Sequence, residues 1–119
     1  MAASVPIFKQ RDYLIAMAQT VPSDEDLANL RERLVEEVGR QRAFGVIVDV
    51  TGLDVMDSFS TRTLRDLALM VRLRGAETVI VGIQPEVAFS MVQLGLRLEG
   101  VSVALDLEEG IAYLDSKRR

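Results

Sequence analysis

Apolar residues follow two different spacings along the chain, and the change from one to the other predicts its strands and helices. Short apolar runs rich in β-branched residues predict strands at about 5–8, 13–17, 45–50, 78–83 and 101–104. Apolar residues three and four positions apart predict amphipathic helices at about 22–39, 58–74, 85–95 and 106–114. The predicted order is β-β-α-β-α-β-α-β-α.

This alternation of strands and helices predicts an α/β fold. Strands separated by helices imply right-handed crossovers and a mostly parallel sheet, and the short polar link between the first two strands predicts a hairpin. We therefore predict a mixed, mostly parallel sheet of about five strands with about four helices. At 119 residues, the chain is predicted to be one domain, 1–119, with its core at about 5–114.

The first helix carries signals at both ends. Ser23, with Asp26 three residues later, predicts a capping box at its start. Gly39, followed by the basic residues Arg40 and Arg42, predicts its end.

Residue types that the chain lacks narrow its chemistry. It has no histidine and no cysteine, so the commonest general base and the usual zinc ligands are missing. Lysine occurs only as Lys9 and Lys117, near the two ends, which disfavours a catalytic or phosphate-binding lysine inside the fold. The net charge of −4 argues against non-specific nucleic-acid binding.

The sequence also predicts where the protein works. No apolar run approaches the roughly 20 residues that a membrane span needs. Residues 1–4 have neither the basic nor the apolar region of a secretion signal. We predict a cytoplasmic protein without membrane attachment, and the absence of cysteine agrees with that compartment.

The most informative segment is 48–58, where an apolar strand enters a turn and a helix begins. Asp49, Asp54 and Asp57 lie at or beyond the carboxyl end of the strand, where α/β sheets bind ligands. One hypothesis is a magnesium site with a phospho-accepting aspartate, but the later strands lack the lysine such a site needs. We favour the interpretation that Asp49 and Asp54 fix the turn by local hydrogen bonds.

Ser58 lies at the start of the second helix, and two roles fit that position. Its hydroxyl suits an N-cap, in which the side-chain oxygen accepts a hydrogen bond from a backbone N–H of the first turn and stabilises the helix by about 1 kcal/mol. A helix N-terminus also favours negative charge, so the same serine could carry a phosphate. Ser60, Thr61 and Thr63 are alternative phosphate acceptors within the helix.

The second helix also has apolar residues away from its core-facing stripe. Phe59, Met70 and Leu73 lie off the stripe, with Thr63 and Asp66 between them. These residues indicate either a wide core face or a protein-binding patch beside Ser58. Phe89, Val92 and Leu96 of the third helix leave the same alternatives open.

Segment 48–58, Val-Asp-Val-Thr-Gly-Leu-Asp-Val-Met-Asp-Ser, resembles the strand–loop–helix motif of the STAS-domain family, whose serine is a phosphorylation site. Ser58 occupies that position. Segments 82–88 and 104–110 resemble the stressosome branch of the family, and within it the RsbS-like scaffold subunits.

The resemblance implies a non-enzymatic scaffold in a cytoplasmic complex, with no cofactor. Its implied partners are RsbR-type STAS paralogues, further copies of itself, an RsbT-type serine kinase held until phosphorylation releases it, and a phosphatase that acts on phosphorylated Ser58. The implied kinase-contact residues are Asp57, Phe59, Arg62, Thr63, Asp66, Met70 and Leu73. Two alternatives remain: a stand-alone anti-anti-sigma factor, which binds an anti-sigma factor kinase, and a small phosphotransfer or nucleotide-hydrolysing enzyme.

Overall fold

Strands and helices follow the predicted order in the computed structural model, which describes residues 5–18 and 22–118. Within these residues the strands are β1 (Ile7–Gln10), β2 (Tyr13–Met17), β3 (Gly45–Asp49), β4 (Glu77–Val81) and β5 (Ser102–Ala104). The helices are α1 (Asp24–Gln41), α2 (Ser58–Leu73), α3 (Pro85–Gln93) and α4 (Leu107–Lys117). The predicted α/β order is confirmed, while the prediction about residues 1–4 lies outside the described residues.

The strands form one sheet in sequence order, with β1 at one edge and β5 at the other. β1 pairs antiparallel with β2, and β2 to β5 run parallel. Because right-handed crossovers that advance in one direction place their helices on one face, α1, α2 and α3 share a face of the sheet. The N-termini of these helices consequently lie beside the carboxyl ends of β2, β3 and β4, at one end of the strands.

Apolar layers cover both faces of the sheet. On the face that carries α1, α2 and α3, the layer includes Leu34, Leu67 and Val87, one from each helix, packed with Ile80 of β4. On the opposite face, α4 buries Leu114 in a cluster with β-strand residues that include Tyr13, Ile47 and Val79. Burying an aliphatic side chain of this size contributes about 1.5–3 kcal/mol, so both layers stabilise the sheet.

The prediction that α1 ends at Gly39 is wrong. The helix continues to Gln41, and Arg42 ends it in the left-handed conformation, with φ 51° and its N–H donated to the carbonyl of Val38. Gly39 lies inside the helix, where a Cβ would lie only 1.6 Å from a guanidinium nitrogen of Arg74. The space beside Gly39 is therefore taken by a tertiary contact and not by a helix end, and a side chain at this position would require the flexible Arg74 side chain to move.

Candidate functional site

The loop between β3 and α2 places Ser58 at the carboxyl end of the strands, where the N-termini of the helices lie. The loop leaves β3 through a backbone bond from the Val50 N–H to the Val81 carbonyl, 2.9 Å long. Leu53 and Met56 are both buried and hold the loop against the core. Ser58 follows as the first residue of α2 and is exposed.

A second turn, between β4 and α3, supports this loop. The Gln84 side chain donates a 2.5 Å hydrogen bond to the Thr51 carbonyl. Gly82, at φ +83°, lies so close to the loop that a Cβ would come within 2.0 Å of Thr51 Oγ1. Asp49 accepts a 2.9 Å hydrogen bond from the Thr51 N–H, which is the turn-fixing role we favoured from the sequence. The described residues contain no group of three or more acidic side chains placed to hold a metal ion.

The residue that caps α2 is Asp57, so the prediction of Ser58 as the N-cap is wrong by one position. Asp57 has extended backbone angles, and its carboxylate accepts a 2.8 Å hydrogen bond from the Ser60 N–H and a 3.0 Å bond from the Ser60 hydroxyl. The hydrogen bond from the Ser60 N–H is the main reason that the pKa of Asp57 is lowered. Ser58 is thereby free of a capping role, and its hydroxyl lies at the positive end of the helix dipole.

Replacing Asp57 with alanine is expected to lower the free energy of unfolding by about 1 kcal/mol at pH 7, because the cap is lost. Since folding lowers the pKa of Asp57, the stability from its ionised form is present above the unfolded-state pKa. That stability is lost as the pH falls through the folded-state value. Urea titrations should show a constant difference between wild type and Asp57→Ala from about pH 7 to 5 and a smaller one below about pH 4.

Asp57→Asn is the matched control for this prediction, because asparagine keeps an acceptor oxygen for the Ser60 N–H. It should retain most of the wild-type stability at pH 7. If it lost as much as Asp57→Ala, the cap would not be the source of the effect.

The other hydroxyls near the start of α2 face inward. Ser60, Thr61 and Thr63 have exposed fractions of only 6%, 2% and 4%. The Ser60 hydroxyl is bonded to Asp57, and Thr61 Oγ1 is buried without a partner. The expectation that Thr63 belongs to a partner-contact face is therefore wrong for the folded chain, because the helix turns its side chain into the core.

The outward face of α2 forms a stripe that begins at Ser58. Arg62, Asp66, Leu69 and Leu73 follow Ser58 within an arc of about 80° on a helix that turns 100° per residue. We call these five residues the outer α2 surface. Leu73 has an exposed fraction of 88% and Leu69 of 51%, whereas Asp66 is partly buried.

Two further predicted contact residues flank the outer α2 surface. Met70 is exposed, and Phe59 is partly buried. Leu69 was not among the predicted contact residues. Its position, seven residues after Arg62 and four before Leu73, places it on the same helix face, so the spacing alone could have predicted it.

The charge of α2 is positive, because Arg62, Arg65 and Arg72 outnumber its one acidic residue, Asp66 (three positive and one negative, net +2). Two of the arginines also hold the chain that follows α3. Arg65 donates a hydrogen bond to the Arg97 carbonyl at 3.3 Å, and Arg72 donates one to the Gly100 carbonyl at 2.7 Å. Arg62, by contrast, is exposed one turn after Ser58.

A shallow groove separates the start of α1 from the start of α2. Its lining includes the buried Leu27 and Leu53 and the exposed Val55, together with polar residues. The groove is therefore a partly apolar recess beside the helix end that carries Ser58. The lining residues are Pro22, Asp24, Leu27, Leu53, Val55, Asp57 and Ser60.

A family model of the STAS domain matches residues 25–110, most of the chain. The chain belongs to the STAS-domain family. This STAS domain is 30% identical over 110 residues to the RsbT co-antagonist protein RsbRA of Bacillus subtilis (strain 168). The match covers 92% of the chain but 39% of RsbRA, and the chain spans only 29–39% of the lengths of the curated relatives that it matches.

Solved structures match this STAS domain over nearly its whole length. The S58E form of RsbS from Moorella thermoacetica has 31% identity and a TM-score of 0.83, covering 98% of this chain and 99% of that one. A chain from the molecular architecture of the stressosome, described as a signal integration and transduction hub, has 30% identity and a TM-score of 0.76. That second match covers 96% of this chain and 99% of the other. The predicted STAS fold and the similarity to RsbS and stressosome proteins are confirmed.

The helices add one further finding. Among residues 5–18 and 22–118, no helix is both long enough and apolar enough to cross a membrane.

Proposed function

We propose that this STAS domain is a non-enzymatic scaffold subunit of a stressosome-type cytoplasmic complex. In this proposal it retains an RsbT-type serine kinase and releases the kinase when Ser58 is phosphorylated. A phosphatase that removes the phosphate resets the complex. The observation that carries the proposal is that Ser58 is exposed, is not needed as a helix cap, and lies at the head of an exposed, partly apolar helix surface.

The comparisons support this proposal. RsbRA is named as a co-antagonist of RsbT, and Moorella RsbS was solved with glutamate in place of a serine that has the same number as Ser58. A glutamate carries negative charge at that position, as a phosphoserine would. Both proteins match this chain over more than nine-tenths of its length.

The local electrostatics indicate how a phosphate could act as a switch. It would add roughly 1.5–2 negative charges beside Asp57. The N-terminus of α2 offsets part of this repulsion, by about 0.3–1 kcal/mol, so the fold would tolerate the modification. A kinase docked over Ser58 would have to bury the charge and would lose about 1–3 kcal/mol of binding free energy, or roughly tenfold to a hundredfold in affinity.

Arg62 gives this switch a second component. It lies four residues after Ser58, the spacing at which opposite charges on a helix attract each other. A phosphate on Ser58 would attract the guanidinium of Arg62 and form charge-assisted hydrogen bonds with it. The outer α2 surface would then change at two positions at once, because Arg62 would no longer be available to the kinase.

The residues of the site support a binding role in preference to an enzymatic one. The chain has no histidine, and its lysines lie near its ends. The carboxylates of Asp49 and Asp57 are engaged in hydrogen bonds with the backbone N–H groups of the loop and helix. Histidine, the commonest general base, and a phosphate-binding lysine are both missing from this site. We therefore propose that the chain needs no cofactor and acts through its partners.

The size of the assembly separates the proposed scaffold from a stand-alone anti-anti-sigma factor. Mixed with RsbR-type paralogues and the kinase, a stressosome subunit should elute in particles far larger than its own 13.2 kDa. Light scattering after size-exclusion chromatography measures this. A small complex of this chain and the kinase, unchanged by the paralogues, would favour the stand-alone factor.

A further inference from the structure

Gln84 begins α3 but does not cap it. It occupies the N-cap position with extended backbone angles, yet in the part of the chain that the structure describes its side chain makes no capping hydrogen bond to α3. N-cap positions favour serine, threonine, aspartate and asparagine, whose short side chains reach the N–H groups of the first turn. The Gln84 side chain extends instead to the neighbouring loop, where its amide donates the 2.5 Å hydrogen bond to the Thr51 carbonyl. A local rule broken in favour of a distant contact indicates a functional constraint at that contact.

Thr51 depends on such contacts because burial does not hold it in place. Val50 and Leu53 on either side of it are buried, whereas Thr51 is exposed and Gly52 is only partly buried. An exposed backbone segment loses little free energy when it opens, so hydrogen bonds and close contacts decide how well it is ordered. The order of this part of the loop therefore depends on the groups that contact Thr51.

Three contacts converge on Thr51. Its N–H donates to Asp49 Oδ1 at 2.9 Å, and its carbonyl accepts the hydrogen bond from Gln84. Its side chain lies against Gly82, where a Cβ would come within 2.0 Å of Thr51 Oγ1 and within 3.1 Å of Asp49 Oδ1. Asp49 ends the strand that leads to Ser58, whereas Gly82 and Gln84 belong to the turn between β4 and α3. The turn before α3 therefore holds the first part of the loop that carries Ser58.

We propose that Gln84 is a positioning residue for the phosphorylation of Ser58. By fixing Thr51, it keeps the loop 51–57 in the conformation that the kinase binds, so binding does not have to order the loop first. The other end of the loop is fixed independently, because Asp57 caps α2. This inference rests on the proposed function, since it concerns how the same kinase recognises Ser58.

Gln84→Ser separates positioning from stability. Serine is too short to reach Thr51, so the hydrogen bond between the turn and the loop is lost, but serine is a favoured N-cap and should stabilise the start of α3. The midpoint of urea unfolding should therefore equal or exceed that of wild type. The KM of the kinase for the chain should nevertheless rise about threefold to tenfold, the range expected for one hydrogen bond, with kcat unchanged. A role in stability alone would not raise KM in a chain that is at least as stable.

Gln93→Ser is the matched control, because Gln93 is an exposed glutamine at the last position of the same helix. Its KM and kcat should equal those of wild type. Hydrogen exchange of the chain without kinase gives a second readout. In Gln84→Ser the backbone amides of 51–57 should exchange about threefold to tenfold faster than in wild type, while those of β3 should not change.

Three results would overturn the proposal: an unchanged KM for Gln84→Ser, loop amides that exchange at the wild-type rate, or an equal rise in KM for Gln93→Ser. A raised KM together with faster loop exchange, in Gln84→Ser alone, would support it. Failure of the proposed function is distinguishable, because the wild-type chain itself would then take up no phosphate on Ser58. In that case this inference would fail with it, whatever the exchange rates.

Discussion

A chain carrying Ser58→Ala is expected to take up no phosphate from ATP and an RsbT-type kinase, whereas the wild-type chain takes up one, on Ser58. The acceptor hydroxyl must enter the active site of the kinase, and Ser58 is exposed at the first residue of α2. The hydroxyls of Ser60, Thr61 and Thr63 are buried, so the kinase would have to unwind the first turn to reach them. Phosphopeptide mapping by mass spectrometry, after identical incubations, measures the difference.

Ser60→Ala is the matched control in the same turn, and it should still be phosphorylated on Ser58. The stability of Ser58→Ala gives a second check. Because Asp57 is the cap, this variant should stay within about 0.5 kcal/mol of wild type in the free energy of unfolding. Phosphate on Ser60 or Thr61 of the Ser58→Ala chain would contradict the assignment.

Replacing Ser58 with glutamate is expected to weaken kinase binding by roughly tenfold to a hundredfold. The new carboxylate adds to the charge of Asp57, attracts Arg62 and must be desolvated when the kinase covers it. The helix N-terminus stabilises the same charge in the free chain, so the fold should be unaffected. Isothermal titration of the kinase with each chain gives the two dissociation constants.

Ser116→Glu is the control for added charge, because Ser116 is an exposed serine on α4, the helix on the opposite face of the sheet. Its affinity for the kinase should equal that of wild type. If the two glutamates weakened kinase binding equally, the net charge of the chain, and not the charge at position 58, would control the affinity for the kinase.

The fold could be predicted because its signals are local. Apolar spacing fixed the type and order of the elements, and the alternation of strands and helices fixed the parallel sheet. The capping box of α1 is present as predicted: the Asp26 N–H donates to Ser23 Oγ at 3.0 Å, and the Ser23 N–H donates to Asp26 Oδ2 at 3.1 Å. Both residues of that motif lie within one helical turn, so their spacing in the sequence is enough to predict it.

Features that depend on a single-residue register or on distant contacts could not be predicted in this way. Asp57 and Ser58 are both good capping residues, and only the backbone angles decide that Asp57 is the cap. The sequence around Gly39 predicts a helix end, but the position lies within the helix. The guanidinium of Arg74, 35 residues later in the chain, packs against it. Thr63 lies at the boundary between the buried and exposed faces of α2, where a small rotation of the helix decides exposure.

The affinity of the kinase for the chain before and after phosphorylation tests the central claim most directly. The chain would be phosphorylated on Ser58 to completion, verified by intact mass, and titrated against the kinase beside the unmodified chain and phosphatase-treated material. The account predicts a dissociation constant at least about tenfold higher for the phosphorylated chain, with affinity restored by the phosphatase. Equal affinity of the phosphorylated and unmodified chains would contradict it.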